Sequence, residues 1–161
     1  MATIHQNLSE FDGSNLPDAS ALSFGIVVAE WNANITKNLY KGAYQTLVDS
    51  GVEVEKIIKW EVPGAFELTF GCKKIIETHQ PDAVIAIGSV IRGETSHFDF
   101  VCQGVTQGIT QLNLLYDTPV VFCVLTDDHI QQSLDRSGGK HGNKGVEAAV
   151  AAIKMAVLGK E

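Results

Sequence analysis

Asp82–Phe100 reads DAVIAIGSVIRGETSHFDF, and this stretch decides the fold. An apolar run, DAVIAIG, ends abruptly in an arginine, a glycine, three consecutive polar residues and a histidine. An amphipathic pattern follows at once, with Phe98, Val101, Cys102, Val105, Ile109 and Leu112 on one helical stripe. That order describes a buried strand whose C-terminal end opens into a loop, and then a helix N-terminus. In open α/β sheets ligands settle at this place, because helix N–H groups and strand-end side chains converge there.

Outward from it, strand and helix patterns alternate. LSFGIVVAEW (Leu22–Trp31) is a β-branched run suited to a buried parallel strand. Ile35, Leu39, Ala43 and Leu47 then mark a helix face ending near Gly51. VEKIIKWEV (Val54–Val62) reads as a second strand, which Pro63 and Gly64 break before starting a helix. That helix buries Leu68, Cys72, Ile75, Ile76 and His79. PVVFCVL (Pro119–Leu125) is the fourth strand. A short helix over Ile130–Leu134 follows, then a terminal helix with Val146, Ala149, Val150, Ile153 and Val157 inward. Short connections between alternating elements predict one doubly wound α/β domain over residues 22–161: a four-stranded parallel sheet with helices on both faces. Residues 1–21, interrupted by Gly13, Asn15 and Pro17, read as an N-terminal arm.

Composition narrows the function classes. The chain has 161 residues, 45% apolar and 19% charged, which supports one well-cored domain, and its net charge of −7 disfavours nucleic acid as the main partner. No apolar run approaches the roughly twenty residues that span a bilayer, and no signal-like segment opens the chain, so no membrane partner is expected. Cys72, Cys102 and Cys123 lie in apolar patterns without metal-ligand spacing and read as reduced core residues of a cytoplasmic protein.

Four strand-end loops are unusual in composition. AEWNAN places Trp31 and Asn32 just past a buried strand, where the indole is either a cap over the sheet edge or a stacking platform for a flat ring. In WEVPGAFE, rigid or small residues leave helix-start N–H groups open to close approach, with Glu67 near the positive end of the helix dipole. In IRGETSHFD, Thr95 or Ser96 is placed to cap the helix, Ser96 with Asp99 at capping-box spacing. Capping leaves Arg92, Gly93 and His97 unexplained; a glycine and hydroxyls at a helix start suit a phosphate, and His97 is placed to act as general acid or base. DRSGGKHGNKG concentrates Arg136, Lys140, His141 and Lys144 among glycines on an otherwise acidic chain, and reads as an anion site. A metal site at HFD or Asp127-Asp128-His129 lacks ligand spacing. A Cys102–His97 pair would point apart along a helix.

Together, WEVPGAFEL, AIGSVIRGETSHFDFV, PVVFCVLT and DRSGGKHGNKGVEAA, in this order and spacing, resemble the 6,7-dimethyl-8-ribityllumazine synthase family of riboflavin biosynthesis. The resemblance covers nearly the whole chain after Leu22. It implies a flavodoxin-like three-layer fold and condensation of 5-amino-6-(D-ribitylamino)uracil with 3,4-dihydroxy-2-butanone 4-phosphate. It implies that Trp31 stacks on the pyrimidine, that Ala65, Phe66 and Glu67 hold the ribityl side, and that Ser89, Val90 and Ile91 contact the pyrimidine. Glu94 and Thr95 fall at the phosphate and His97 at the proton carrier. Phe122 and Arg136 match positions supplied by a neighbouring subunit, with Lys144 close by and Glu147 placed to pair with that arginine. Trp31 stands where the family more often has phenylalanine. The substrate amine is the nucleophile, so the chemistry needs no metal or redox cofactor. The resemblance also implies pentamers; the short SGGKHGNKG turn points to a sixty-subunit shell, one that in turn can enclose riboflavin synthase, while Pro17 leaves a bare pentamer or decamer open. The rival from another class is a flavodoxin-type electron-transfer module holding FMN. It calls for a hydroxyl- and glycine-rich phosphate loop after the first strand, which AEWNAN does not offer.

Overall fold

The computed structural model describes residues 7, 9–13 and 16–160. Parts of the segment read from the sequence as an N-terminal arm, including Asn15, lie outside the described residues; Ala19, near the end of that segment, is fully buried. The main elements are β1 (Phe24–Ala29), α1 (Ala33–Asp49), β2 (Ile57–Val62), α2 (Leu68–His79), β3 (Ala83–Ile91), α3 (His97–Leu115), β4 (Val120–Asp127), α4 (Ile130–Arg136) and α5 (Lys144–Leu158). Between α4 and α5, β5 (Ser137–Gly139) and β6 (Gly142–Asn143) form a small antiparallel ribbon. The larger sheet has the order β2-β1-β3-β4 and is parallel throughout. This is the flavodoxin-like three-layer arrangement, with its switch point between β1 and β3.

Burial explains why these runs form these elements. All six residues of β1 and the first seven of β3 are buried, because helices cover both faces of the inner strands. On one face Phe24, Ile26, Ile85 and Ile87 pack with Ile35, Leu39 and Leu47 of α1 and Ala149 and Ile153 of α5. On the other, Val27, Val84 and Ala86 pack with Leu68, Cys72 and Ile75 of α2 and Val105 and Ile109 of α3. α1 buries the stripe that its spacing predicts, but the other long helices depart from theirs. On α5 the buried face is Gly145, Ala148, Ala149, Ala152, Ile153 and Ala156, with Val146, Val150 and Val157 half-buried, and on α3 Val101 is half-buried. His79 is exposed and meets the Trp60 ring edge-on at 5.5 Å, and Cys102 is half-buried.

Three local expectations are corrected. The second strand begins at Ile57, after a short 3₁₀ turn over Val54–Lys56. Pro63 and Gly64 end β2 but do not start α2, which begins at Leu68. The β1–β2 bonding continues past β2, with Glu30 N–H donating to Val62 O (2.8 Å) and Trp31 N–H to Pro63 O (3.1 Å), so Pro63 is still tied to the β1 side while the chain bends at Pro63 and Gly64. Ser96 does not cap α3 with its side chain, having already turned into the helical region, and the capping box with Asp99 does not form. Arg92 takes the Asp99 carboxylate instead, at 3.2 Å.

α2 lies close on the sheet at Gly71. A Cβ there would stand 2.8 Å from Cγ1 of both Val27 and Val62, which belong to two adjacent strands. Gly71→Ala should therefore destabilise the fold by about 1–3 kcal/mol, despite its better helix propensity. The shift of the urea unfolding midpoint measures this, and an unchanged or raised midpoint would show that α2 moves away freely.

Candidate active site

The site begins with a mismatch in strand length. β1 pairs with β3 only as far as Val28 opposite Ile87, whereas β4 pairs with β3 through Ile91 opposite Asp127. The last four residues of β3 thus have a strand on one side only. Peptide groups alternate sides along a strand, and Arg92 N–H donates toward β4 at Asp127 O (2.9 Å). The Ser89 and Ile91 peptide groups therefore face the space that β1 has vacated.

That space is a cavity of about 560 Å³, within the range of small-molecule sites. Trp31 from the β1–α1 loop, Ala65, Phe66 and Glu67 from the turn before α2, and Ser89, Val90 and Ile91 of β3 line it, and so do Gly93, Thr95 and His97 at the start of α3. Ten of the expected site residues were Trp31, the three before α2, the three on β3, Glu94, Thr95 and His97; all but Glu94 line this cavity. Glu94 is exposed in the turn between β3 and α3.

Each wall has a physical cause. The Trp31 backbone is held by its bond to Pro63 O, and the next residue, Asn32, lies in the left-handed region at φ 58°, ψ 47°. The indole is thereby turned outward and stays 73% exposed, an unusual state for so large an apolar ring. Asn32 Nδ2 donates to Ser89 O at 2.9 Å, tying this loop to the free edge of β3. Ser89 is 3% exposed and its hydroxyl is the one buried side-chain polar atom without a hydrogen-bond partner among the described residues. A buried hydroxyl left unpaired costs about 1–3 kcal/mol, so a polar ligand has something to gain there. At the start of α3, the helix N-terminus follows directly on the Gly93–Thr95 turn, where a Cβ on Gly93 would meet open space; Asp99 N–H is taken by Ser96 O at 3.0 Å. His97 sits on that first turn, its N–H donating to Thr95 Oγ1 at 3.4 Å.

The cavity lining contains no lysine or arginine, and Glu67 is its one carboxylate. Phe122, Arg136 and Lys144 are not brought to it. Phe122 is half-buried on the edge strand β4, opposite Ala86. Arg136 ends α4, where its Nη1 donates to Gln132 O at 3.0 Å. The expected cluster of cations is largely neutralised within its own segment. Lys140 pairs with Asp135 at 3.1 Å, and Lys144 with Glu147 at 2.6 Å. Glu147 thus holds Lys144 where a pairing with arginine was expected, because the two stand three residues apart on one helix face. Among the described residues Arg136 makes no ion pair, which leaves its charge available.

The cysteines do not take part. Burial pushes the Cys123 thiol up to about 12 and Cys72 higher still, and burial with the nearby Asp99 charge raises Cys102. Two residues of the site had no assigned role in the sequence reading. Phe100 lines the cavity at 70% exposure and is legible only as an aromatic residue off the buried stripe of α3. Asn32 shapes the loop; its one signal is that asparagine tolerates left-handed backbone directly after a buried strand.

Comparison with known proteins decides the family. Residues 21–160 match the family model for 6,7-dimethyl-8-ribityllumazine synthase. The chain belongs to that family. It is 61% identical over 158 residues to the 6,7-dimethyl-8-ribityllumazine synthase of Flavobacterium johnsoniae, covering 98% of this chain and 83% of that one. It is 61% identical over 155 residues to that of Parabacteroides distasonis, covering 96% and 97% of the two chains. To that of Christiangramia forsetii it is 57% identical over 162 residues, covering 100% and 96%. As a lumazine synthase family member the chain is a transferase of riboflavin biosynthesis acting on small molecules.

The orphaned serine makes a direct test. Ser89→Ala should leave the unfolding midpoint unchanged or raise it, since an unpaired buried hydroxyl is removed, while substrate KM rises about threefold to tenfold. Steady-state kinetics beside a denaturation curve measures both, and a fall in stability with unchanged KM would place the Ser89 hydroxyl outside substrate binding.

Proposed function

We propose that the chain condenses 5-amino-6-(D-ribitylamino)uracil with 3,4-dihydroxy-2-butanone 4-phosphate to 6,7-dimethyl-8-ribityllumazine, in the cytoplasm, within a ring of identical subunits. The observation that carries this reading is a cavity with a flat aromatic wall, a free strand edge and a histidine, but no cation of its own.

The pyrimidine lies against Trp31, with its polar edge on the Ser89 hydroxyl and the Ile91 peptide group; Val90 closes the site beside them. Ala65, Phe66 and Glu67 receive the ribityl chain, whose hydroxyls suit the Glu67 carboxylate. The substrate amine attacks the ketone carbonyl, and the oxygen departs as water to leave a Schiff base. Phosphate is eliminated next, its charge met by N–H groups of the Glu94–Thr95 turn and the first turn of α3. Loss of phosphate leaves an enol at the carbon that bore the C3 hydroxyl; it tautomerises to a carbonyl, on which the ribitylamino nitrogen closes the ring with loss of a second water. Each stage moves a proton, and His97 at the rim of the cavity is the group that carries it.

A phosphate dianion in a cavity whose one carboxylate is Glu67 needs a cation from elsewhere. Arg136, unpaired by any carboxylate among the described residues, supplies it to the site of the adjacent subunit, with Phe122 closing that site and Lys144 nearby. A closed ring, pentameric on the family resemblance and further assembled into a shell of sixty, follows from this exchange. Riboflavin synthase, which uses the product, is the proposed guest of such a shell.

Mixing the two substrates with the protein and following lumazine absorbance tests the reaction; a rate no higher than the uncatalysed mixture refutes it. Arg136→Ala should lower kcat about 10²- to 10³-fold. Co-assembly of equal amounts of Arg136→Ala and His97→Asn chains should restore about a quarter of wild-type activity by random assortment, because mixed neighbours rebuild intact sites. No restoration would place Arg136 in its own subunit's site.

Trp31 makes a further prediction. Its exposed indole in a pocket for a flat bicyclic product should also stack on an isoalloxazine ring. Riboflavin titration should quench tryptophan fluorescence, and Trp31→Ala should abolish the quenching; no quenching at high riboflavin concentration would overturn the expectation.

A further inference from the structure

Arg92 has no part in the reaction above, yet its guanidinium joins three groups at the edge of the site. Nε donates to Asp128 Oδ1 at 2.8 Å in the loop before α4, and Nη1 to Asp99 Oδ1 at 3.2 Å in the first turn of α3. The Phe98 ring lies under it at 4.1 Å, and Phe98 is itself anchored at 9% exposure. The base of the side chain is fixed too, because Arg92 N–H extends the β3–β4 ladder to Asp127 O.

The turn that Arg92 grips has little else to fasten it. Ser96 contributes no side-chain cap, and the bond from His97 N–H to Thr95 Oγ1 is long. The far arm of the clamp continues into α4: Asp128 N–H donates to Gln132 Oε1 at 2.8 Å, and Gln132 O accepts from Arg136 Nη1 at 3.0 Å. One guanidinium therefore stands between the turn that bears the imidazole and the short helix that ends on Arg136.

We propose that Arg92 is a positioning residue of the condensation, clamping the first turn of α3 to the β4–α4 loop so that the His97 imidazole is held at the cavity rim. The proposal rests on the reaction set out under Proposed function. Ion pairs this exposed contribute little to stability, so the effect of the clamp is geometric. A planar fork stacked on a ring and shared between two carboxylates fixes direction in a way that a lysine ammonium cannot. Misplacing a reacting group by about 1 Å costs up to about a hundredfold in rate.

The test is steady-state kinetics on the assembled enzyme with Arg92→Gln, Arg92→Lys, Asp99→Asn and the Arg92→Gln/Asp99→Asn double variant, alongside thermal melting and sedimentation. Arg92→Gln should lower kcat about ten- to hundredfold with KM for both substrates within about twofold of wild type. Arg92→Lys should fall between, and Asp99→Asn should lower kcat in the same direction. The double variant should be no slower than Arg92→Gln alone, since both remove one clamp. Wild-type kcat in Arg92→Gln, losses that multiply in the double variant, or a loss matched by lower melting temperature or broken assembly would overturn the proposal. An inactive wild type refutes the reaction itself, whereas an active wild type with multiplying losses refutes only the role of Arg92.

Discussion

The structure depends on one inequality: β3 is longer than the strand beside it. β1 supports β3 up to Ile87, and β4 supports it to Ile91. A buried peptide group must find a partner, so the unpaired edge has to be answered by something other than a strand. At Ser89 the answer is the Asn32 amide, and above it is the cavity. The rest of the site is arranged around that gap, because the loops after β1, β2 and β3 all open on the same end of a parallel sheet.

Asn32 shows how closely the walls are coupled. Left-handed backbone costs a side-chain-bearing residue about 1 kcal/mol, less for asparagine, and the bond to Ser89 O offsets it. The same turn aims Trp31 outward. A single residue thus satisfies the strand edge, bends the loop and sets the aromatic wall. The opposite wall is set by Arg92 and its carboxylates, which leaves the cavity between two fastened loops, one at each side of β3.

Much of this was legible in the residues. β-branched runs separated by helical stripes pointed to the parallel sheet, because strands buried on both faces are apolar throughout, and four parallel strands are found; their order in the sheet is added by the structure. Where the sequence misled, a longer-range interaction had prevailed over a local signal. Pro63 and Gly64 look like a helix start, but Pro63 O is taken by Trp31 N–H from the β1 side and the chain turns through residue 67 before α2 begins. Ser96 and Asp99 have capping-box spacing, but Arg92, distant by several residues, takes the carboxylate. The basic run Arg136–Lys144 looks like one anion site, yet Asp135 just before it and Glu147 just after it pair with its two lysines. Local patterns count charges and hydroxyls; they do not show which partner each one finds after folding.

That last point bears on the phosphate. At about 4 Å, two opposite unit charges attract by roughly 4 kcal/mol in a partly screened environment, and a like charge repels by as much. A net charge of −7 and a lining carboxylate at Glu67 therefore set the proposed dianionic substrate against the subunit that would bind it. Helix-start N–H groups soften this but carry only about half a charge. The cation best placed to reverse it is Arg136, half-buried at the C-terminal end of α4, where the helix dipole and the Gln132 carbonyl favour a fixed guanidinium. It ends the helix that follows the edge strand β4 and does not line its own cavity. On the proposed reading each subunit thus exports the charge that its own site lacks, so assembly is a condition for binding substrate, not a later elaboration of a finished enzyme.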